Sequence, residues 1–185
     1  MAEAPVVVTD SRLHTFIVDA LVATKMPRPR AAVTAGLMVC TDLRGVDSHG
    51  IGMLPRYYEW WQGGFIVMDA EPLVVADEAA TGLLDPQKGL GHYVSTMAMD
   101  RAIVKARTYG VGMVAVRNSN HFGVTANYSM MALQHDMLGL ATTNAARPAM
   151  VPTFGRAPMM GTNLLSFAAP AGRHAPFVLD MATTP

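Results

Sequence analysis

The stretch GHYVSTMAMDRAIVKARTYGVGMVAVRNSNHFG, residues 91–123, shapes the predicted fold more than any other part of the chain. Its first part predicts an amphipathic helix, because apolar residues recur on one face: Val94, Met97, Ala98, Ala102, Ile103 and Ala106. The run VGMVAVRN, residues 111–118, predicts a buried strand. The polar turn NSNHFG, residues 118–123, leads into a further predicted helix within HFGVTANYSMMALQHD, residues 121–136.

The same stretch contains a glycine motif that resembles a dinucleotide-binding fingerprint. GVGMVA, residues 110–115, matches G-x-G-x-x-A, but it follows a helix and precedes a strand. That order is the reverse of the strand–loop–helix arrangement that directs helix amides at a pyrophosphate. We therefore interpret Gly110 as a helix C-cap and Gly112 as flexibility at the start of the strand, and the classical Rossmann fold is disfavoured.

The rest of the chain divides into a helical and a mixed part. Three helices are predicted before residue 70, within residues 9–27, 30–45 and 54–64, with Thr9 or Asp10 capping the first. A β-hairpin follows, with strands near 73–76 and 81–85, and further strands are predicted within 137–145, 161–170 and 175–182. The predicted fold class is α+β, with residues 1–70 helical and residues 71–185 mixed.

Composition limits the class of partner. The chain has 14 Lys and Arg residues against 14 Asp and Glu, and this zero net charge argues against nucleic acid and anionic membranes, which attract basic proteins. No predicted apolar run is long enough to span a bilayer, and the N-terminus lacks the basic region of a signal peptide. The chain has a single cysteine, Cys40, so it forms no intramolecular disulfide, as is typical of a cytoplasmic protein. Cys40 lies in an apolar run, so we expect it in the core.

The loop VDSHG, residues 46–50, is the first candidate site. Asp47, Ser48 and His49 are consecutive, and histidine is the side chain best suited to exchange protons near neutral pH. The alternative is a purely structural role, in which Ser48 or Asp47 caps the next helix and His49 lies on the surface. The residues alone leave both interpretations open.

Other polar positions have similarly divided interpretations. The turn RNSNHFG, residues 117–123, could bind an anion at helix amides or could simply cap the helix. The Thr-Asn pairs near Asn144 and Asn163 suit an amide or ribose ligand, but also ordinary turns. Asp180 could pair with a histidine and raise the pKa of that histidine, or it could cap a helix. The six histidines show no i, i+3 or i+4 pairing, so no metal site is predicted.

Taken in order, DLRGVDSHGI, LPRY, the 91–123 stretch, GTN and VLDMATT resemble the malate/L-lactate dehydrogenase type 2 family, along essentially the whole chain. The resemblance implies NAD- or NADP-linked interconversion of a 2-hydroxy acid and a 2-oxo acid, or reduction of a cyclic imine carboxylate. It also implies a homodimer and a non-Rossmann nucleotide-binding domain on a mostly antiparallel sheet, here residues 71–185. Family members are nearly twice this long, so the alternative hypothesis is that the chain is a truncated, non-catalytic remnant of such an enzyme.

The resemblance also implies roles for individual residues. His49 would be the proton donor or acceptor, with Ser48 and Asp180 as its relay partners. The family commonly has an arginine four residues after this histidine, where Met53 stands here. Either Arg44 or Arg56 would bind the substrate carboxylate in its place, or the substrate would differ. The residues expected to line the cofactor are His121, Phe122, Gly123, Val124, Thr125, Asn144, Thr162, Asn163, Met181, Ala182 and Thr183.

Overall fold

The computed structural model describes residues 6–145 and 148–184 as a mixture of helices and strands, as the α+β prediction requires. The elements in chain order are α1 (Asp10–Ala23), α2 (Arg28–Leu43), α3 (Leu54–Gln62), β1 (Leu73–Asp77), β2 (Thr81–Asp85), α4 (Gly91–Tyr109), β3 (Met113–Val116), α5 (Ala126–Ser129), β4 (Gly139–Thr142), β5 (Leu164–Ala169) and β6 (Phe177–Ala182). Two 3₁₀ segments, Ile51–Met53 and Met130–His135, complete the list.

The N-terminal helices begin where the sequence predicts. Thr9 caps α1, and its hydroxyl accepts a hydrogen bond from the Arg12 amide. Prolines lie in the first turns of α2 and α3, where the missing amide proton costs no intrahelical bond. The buried faces of these helices form one hydrophobic core, in which Ile17, Met38 and Tyr57 are fully buried. This core supports the loop between α2 and α3.

Two three-stranded sheets are present among the described residues. The first has the order β1-β2-β3, and the second has the order β4-β5-β6. Both pairings of the second sheet are antiparallel, with Leu140 opposite Phe167 and Phe167 opposite Leu179. The antiparallel arrangement expected for the C-terminal part is therefore present in this sheet.

The chain forms two compact units, and their boundary is crossed several times. The first unit comprises residues 1–75, 84–94 and 116–123, and the second comprises residues 76–83, 95–115 and 124–185. The segments before α4 and after β3 thus cluster with the N-terminal helices. The predicted division into residues 1–70 and 71–185, with nucleotide binding assigned to the latter, stays a prediction.

Three local predictions are wrong. Cys40 is exposed and not in the core, because the core-facing side of α2 carries Ala35 and Met38, and Cys40 lies two residues further on. Strand β3 is not buried throughout; Met113 is exposed, because alternate side chains of a strand point to opposite faces. The helix predicted within residues 121–136 begins only at Ala126, because Gly123 has a φ of +78° that a right-handed α-helix does not accommodate; from Met130 it continues as a 3₁₀ segment.

No helix among the described residues is long and apolar enough to cross a membrane.

Candidate active site

The loop that carries His49 is held by Asp42, the last acidic residue of α2. The Asp42 carboxylate accepts a hydrogen bond from the Ile51 amide at 2.8 Å, at the start of the 3₁₀ segment. A Cβ at position 50 would overlap that carboxylate, so only glycine fits there. The His49 amide donates to the Val46 carbonyl at 3.0 Å and closes the turn. The capping role considered for Asp47 or Ser48 is filled by neither, because the N-cap residue of α3 is Met53 and no side chain caps that helix.

Ser48 and His49 contact each other directly. The Ser48 hydroxyl lies 2.8 Å from Nδ1 of His49, within hydrogen-bonding distance. Ser48 is exposed, whereas the His49 ring is half-buried. A bond at Nδ1 orients the imidazole and leaves Nε2 as the nitrogen that can exchange a proton with a ligand.

The His121 ring lies against His49. The two ring centroids are 5.4 Å apart with an angle of 29° between the ring planes, a stacked arrangement. Nδ1 of His121 lies 2.7 Å from the Tyr57 hydroxyl and 3.3 Å from the Gly123 amide nitrogen. The His121 carbonyl accepts a hydrogen bond from the Gly91 amide at the start of α4. Residues far apart in the sequence thereby place two histidines side by side.

A third histidine, His92, lies in the interior beside His121, with the two ring centroids 6.5 Å apart. Its side chain is buried, and its ring meets the Tyr57 ring edge-on at 5.7 Å. Gly123 packs against it, since a Cβ there would lie 2.8 Å from His92 Nε2. The close packing explains why a glycine occupies this left-handed position.

Burial keeps most of the cluster uncharged. Burial, together with the smaller effects of the neighbouring His121 and His49, lowers the pKa of His92 to about 3. Burial likewise lowers the pKa of His121 to about 4, with added repulsion from His49 and Arg56. Burial raises the pKa of the Tyr57 phenol, which stays protonated. At neutral pH, His92 and His121 are therefore neutral imidazoles.

The two candidate arginines differ in their surroundings. The guanidinium carbon of Arg56 lies 5.9 Å from the centroid of the Trp60 ring, and its charge contributes to the lowered pKa of His121. Arg44 is the C-cap residue of α2, and its amide donates to the Cys40 and Thr41 carbonyls. Arg56 therefore acts electrostatically on His121, a member of the histidine cluster.

In the second unit, most predicted cofactor residues meet at one end of the sheet β4-β5-β6. The Thr183 hydroxyl donates to the Asn163 carbonyl at 2.7 Å, and the Thr183 amide donates to the Thr162 carbonyl at 3.1 Å. The Thr143 amide, next to Asn144, donates to the Leu164 carbonyl. The strand register therefore joins the two Thr-Asn pairs with the segment Met181, Ala182 and Thr183.

Asp180 joins the segment around Thr125 to this sheet. Its carboxylate accepts a hydrogen bond from the Ala126 amide at 2.8 Å, at the start of α5. Its predicted relay to a histidine remains a prediction. Thr125 is buried, and its hydroxyl has no hydrogen-bond partner among the described residues. An unpaired buried hydroxyl, in the unit that also carries Thr162, Asn163 and Thr183, fits the amide and ribose groups of a nicotinamide nucleotide.

Two members of the histidine cluster escaped the sequence analysis. Tyr57 and His92 lie in segments that the sequence predicts as helices, where an aromatic ring or a lone histidine usually serves packing. Tyr57 ends the LPRY motif and His92 lies in the 91–123 stretch, but the resemblance assigned a role to neither, and the histidines that Tyr57 contacts are distant from it in the chain. The sequence carries no local signal for either residue.

Comparisons with known proteins agree on a relationship. Residues 8–185 match the family described as malate/L-lactate dehydrogenase. The chain is 41% identical over 168 residues to L-sulfolactate dehydrogenase from Methanocaldococcus jannaschii, covering 91% of this chain and 48% of that protein. It is 40% identical over 172 residues to malate dehydrogenase from Pyrococcus abyssi, covering 93% of this chain and 47% of that protein.

The fold agrees with that relationship as well. The structure of malate dehydrogenase from Pyrococcus horikoshii OT3 superimposes with a TM-score of 0.90 at 39% identity, over 96% of this chain and 51% of that one. The chain thus spans about half the length of the curated relatives it matches.

Proposed function

The chain belongs to the malate/L-lactate dehydrogenase family, and we propose on that basis that it carries the proton-transfer site of a nicotinamide-dependent oxidoreductase. The proposed reaction interconverts a 2-hydroxy acid and a 2-oxo acid. The observation that carries the proposal is the contact of His49 with Ser48 on one side and with the ring of His121 on the other.

His49 is the proposed proton donor and acceptor. Reducing a carbonyl group requires one proton at oxygen, and oxidising a hydroxyl group requires its removal. His49 suits this task because Ser48 holds its Nδ1, which leaves Nε2 to exchange a proton with the substrate. Asp180, by the family resemblance, is a proposed second relay partner for the histidine.

Arg56 is the proposed cation for the substrate carboxylate. A 2-oxo acid carries a negative charge beside its reacting carbonyl, and a guanidinium binds such a group through paired hydrogen bonds. Arg56 acts electrostatically on His121 and lies close to the Trp60 ring, so its charge is present beside the histidine cluster. Met53 is half-buried against the helical core and supplies apolar packing in place of charge.

The residues proposed to hold NAD or NADP are those that fit its polar groups. When bound, the nicotinamide supplies or accepts the hydride. Thr125 offers a buried hydroxyl, while Thr162, Asn163 and Thr183 offer further hydroxyl and amide groups. His121, Phe122, Gly123, Val124, Asn144, Met181 and Ala182 complete the proposed set. Comparing turnover with NADH and with NADPH distinguishes the two nucleotides.

The test is turnover of NADH and NADPH by the 185-residue chain with a panel of 2-oxo acids, among them oxaloacetate and pyruvate. Replacing His49 with Ala removes the proton donor, and we expect the rate to fall by about 10²–10⁴-fold. His174→Ala is the matched control, because His174 is exposed and lies in a loop of the second unit. A His49→Ala variant as fast as this control would refute the proposed role.

Two alternatives have distinct outcomes in the same assay. Reduction of a cyclic imine carboxylate needs the same proton and hydride, so a cyclic imine belongs in the substrate panel, and selective turnover of it would identify that reaction. A chain that binds neither nucleotide and turns over no substrate would support the reading as a non-catalytic remnant.

A further inference from the structure

The hydroxyl group of Tyr57 is buried in the first unit and aimed at a single nitrogen atom. Tyr57 is fully buried in α3, and its hydroxyl lies 2.7 Å from Nδ1 of His121. The Gly123 amide nitrogen lies 3.3 Å from the same Nδ1 and is oriented to donate to it. One ring nitrogen therefore receives two groups, one of which can only donate.

The amide settles the direction of both hydrogen bonds. A backbone N–H has no lone pair, so a nitrogen that accepts from it carries no proton. Nδ1 of His121 is therefore the acceptor, and the Tyr57 hydroxyl must donate its proton. In a neutral imidazole the remaining proton then lies on Nε2.

We propose that Tyr57 is a positioning residue, which with the Gly123 amide holds His121 as an Nε2–H hydrogen-bond donor beside His49. The inference rests on the proposed function and deepens it. The ring that stacks on His49 would offer a fixed N–H to an oxygen atom of the 2-oxo acid, either the carbonyl or the carboxylate.

The titratable and charged neighbours of His121 support a neutral donor. They are Tyr57 from α3, His49 from the loop after α2, His92 from α4 and Arg56 from α3. A second positive charge on His121 would repel both Arg56 and a protonated His49. Separating the two histidines into one fixed donor and one proton carrier avoids that repulsion.

The first measurement uses the unaltered chain. Nitrogen-15 NMR of histidine-labelled protein distinguishes a protonated from an unprotonated ring nitrogen, and a His121→Asn sample identifies the signals of His121. We expect Nδ1 to be the unprotonated nitrogen and Nε2 to carry the proton at neutral pH. A protonated Nδ1, or an equal mixture of the two forms, would overturn the proposal whether or not the chain is active.

The second measurement compares Tyr57→Phe with Tyr58→Phe. Tyr58 is half-exposed and accepts a hydrogen bond from Gln62, so its variant controls for the loss of one hydroxyl from the same helix. Losing one donor to Nδ1 should move the tautomer ratio of His121 about fivefold toward Nδ1–H, whereas Tyr58→Phe should leave it unchanged. An unaltered ratio in folded Tyr57→Phe would refute the positioning role.

Turnover separates positioning from simple packing. If the proposed reaction is observed, Tyr57→Phe should lower kcat more than it changes KM, and Tyr58→Phe should change neither. A shifted tautomer with unchanged kcat would refute the contribution to catalysis. Because the NMR result requires no turnover, failure of the proposed function and failure of this inference are distinguishable.

Discussion

His92 binds a proton less readily in the folded chain than in the unfolded chain. It is buried beside His121, and burial lowers its pKa from 6.5 to about 3. His121 shifts in the same direction, to about 4. Both rings are therefore neutral in the folded protein at a pH where an unfolded chain would already protonate them.

This difference predicts acid sensitivity. As the pH falls below 6.5, the unfolded chain binds protons at these histidines before the folded chain does, so the free energy of unfolding decreases. The contribution is fully present above 6.5 and is lost progressively down to about 3 to 4. Denaturant unfolding across this pH range measures it.

Carboxylates also titrate in part of that range, so the comparison needs matched variants. His92→Gln removes one of the two groups and should flatten the decrease between neutral pH and pH about 5, where carboxylates remain mostly charged. His174→Gln, at an exposed position, should leave the wild-type slope. Equal slopes in wild type and His92→Gln would contradict the assignment.

At the scale of secondary-structure elements, two buried serines join α5 to the second sheet. The hydroxyl groups of Ser129 and Ser166 lie 2.7 Å apart, and the Ser166 hydroxyl donates to the Leu179 carbonyl at 2.8 Å. Since Ser166 uses its proton for Leu179, we assign Ser129 as the donor in the pair; its contact with the Ala126 carbonyl, at 3.4 Å, is the longer of the two. Gly139 of β4 is close as well, because a Cβ there would overlap the Ser129 carbonyl.

Replacing Ser166 with Ala should lower the free energy of unfolding by about 1–3 kcal/mol, because the Ser129 hydroxyl then loses its short buried hydrogen bond. Denaturant unfolding of Ser166→Ala, Ser129→Ala and the double variant checks this. The double variant should cost less than the sum of the single ones, since the two groups share one bond. Strict additivity would show that the serines act independently.

The elements also show which local predictions depend on backbone details. The predicted helix within residues 121–136 has the right composition but contains Gly123, whose left-handed conformation separates His121 from the short α5. That separation lets the His121 ring meet Tyr57 and His49. A pattern of apolar residues does not specify the sign of one φ angle, so the prediction of a continuous helix was wrong.

At the scale of the whole molecule, the second unit leaves an apolar sheet face exposed. Leu140, Phe177 and Leu179 of β4 and β6 are exposed, and Leu140 and Leu179 lie opposite the same Phe167. Exposed apolar faces of this kind commonly mark contact surfaces. The homodimer expected from the family resemblance is one arrangement that would cover such a face.

Fluorescence titration with NADH and NADPH, combined with the mass from size-exclusion chromatography, tests the whole chain. We expect saturable binding by a species of twice the chain mass, because the polar residues at the end of β4-β5-β6 fit the nucleotide and the apolar face favours association. Thr125→Val keeps the shape of the buried side chain but removes the hydroxyl, and it should weaken binding by about 5–10-fold if that hydroxyl contacts the ligand.

Ala169→Val, in the same sheet but away from the predicted ligand residues, is the control for altered packing. Unchanged affinity in Thr125→Val would remove Thr125 from the binding set. Absence of binding together with soluble aggregates would support the non-catalytic reading of the chain.

The sequence by itself determined the main elements and the identity of the principal histidine. Helical spacing, proline positions and turn residues predicted α1 to α4 and the six strands, because these signals act over neighbouring residues. The loop around His49 was also visible, since a histidine beside serine and glycine between two helices is a local pattern.

Only the tertiary structure decided which residues surround His49. Tyr57, His92 and His121 come from three separate segments. The hydrophobic core shared with α1 and α2 fixes α3 and therefore Tyr57, and Gly123 lets the chain pass close to the His92 ring. The direction of the Tyr57 hydrogen bond and the lowered pKa values of His92 and His121 depend on burial and on distances between these segments. Such quantities belong to packing, which no stretch of neighbouring residues encodes alone.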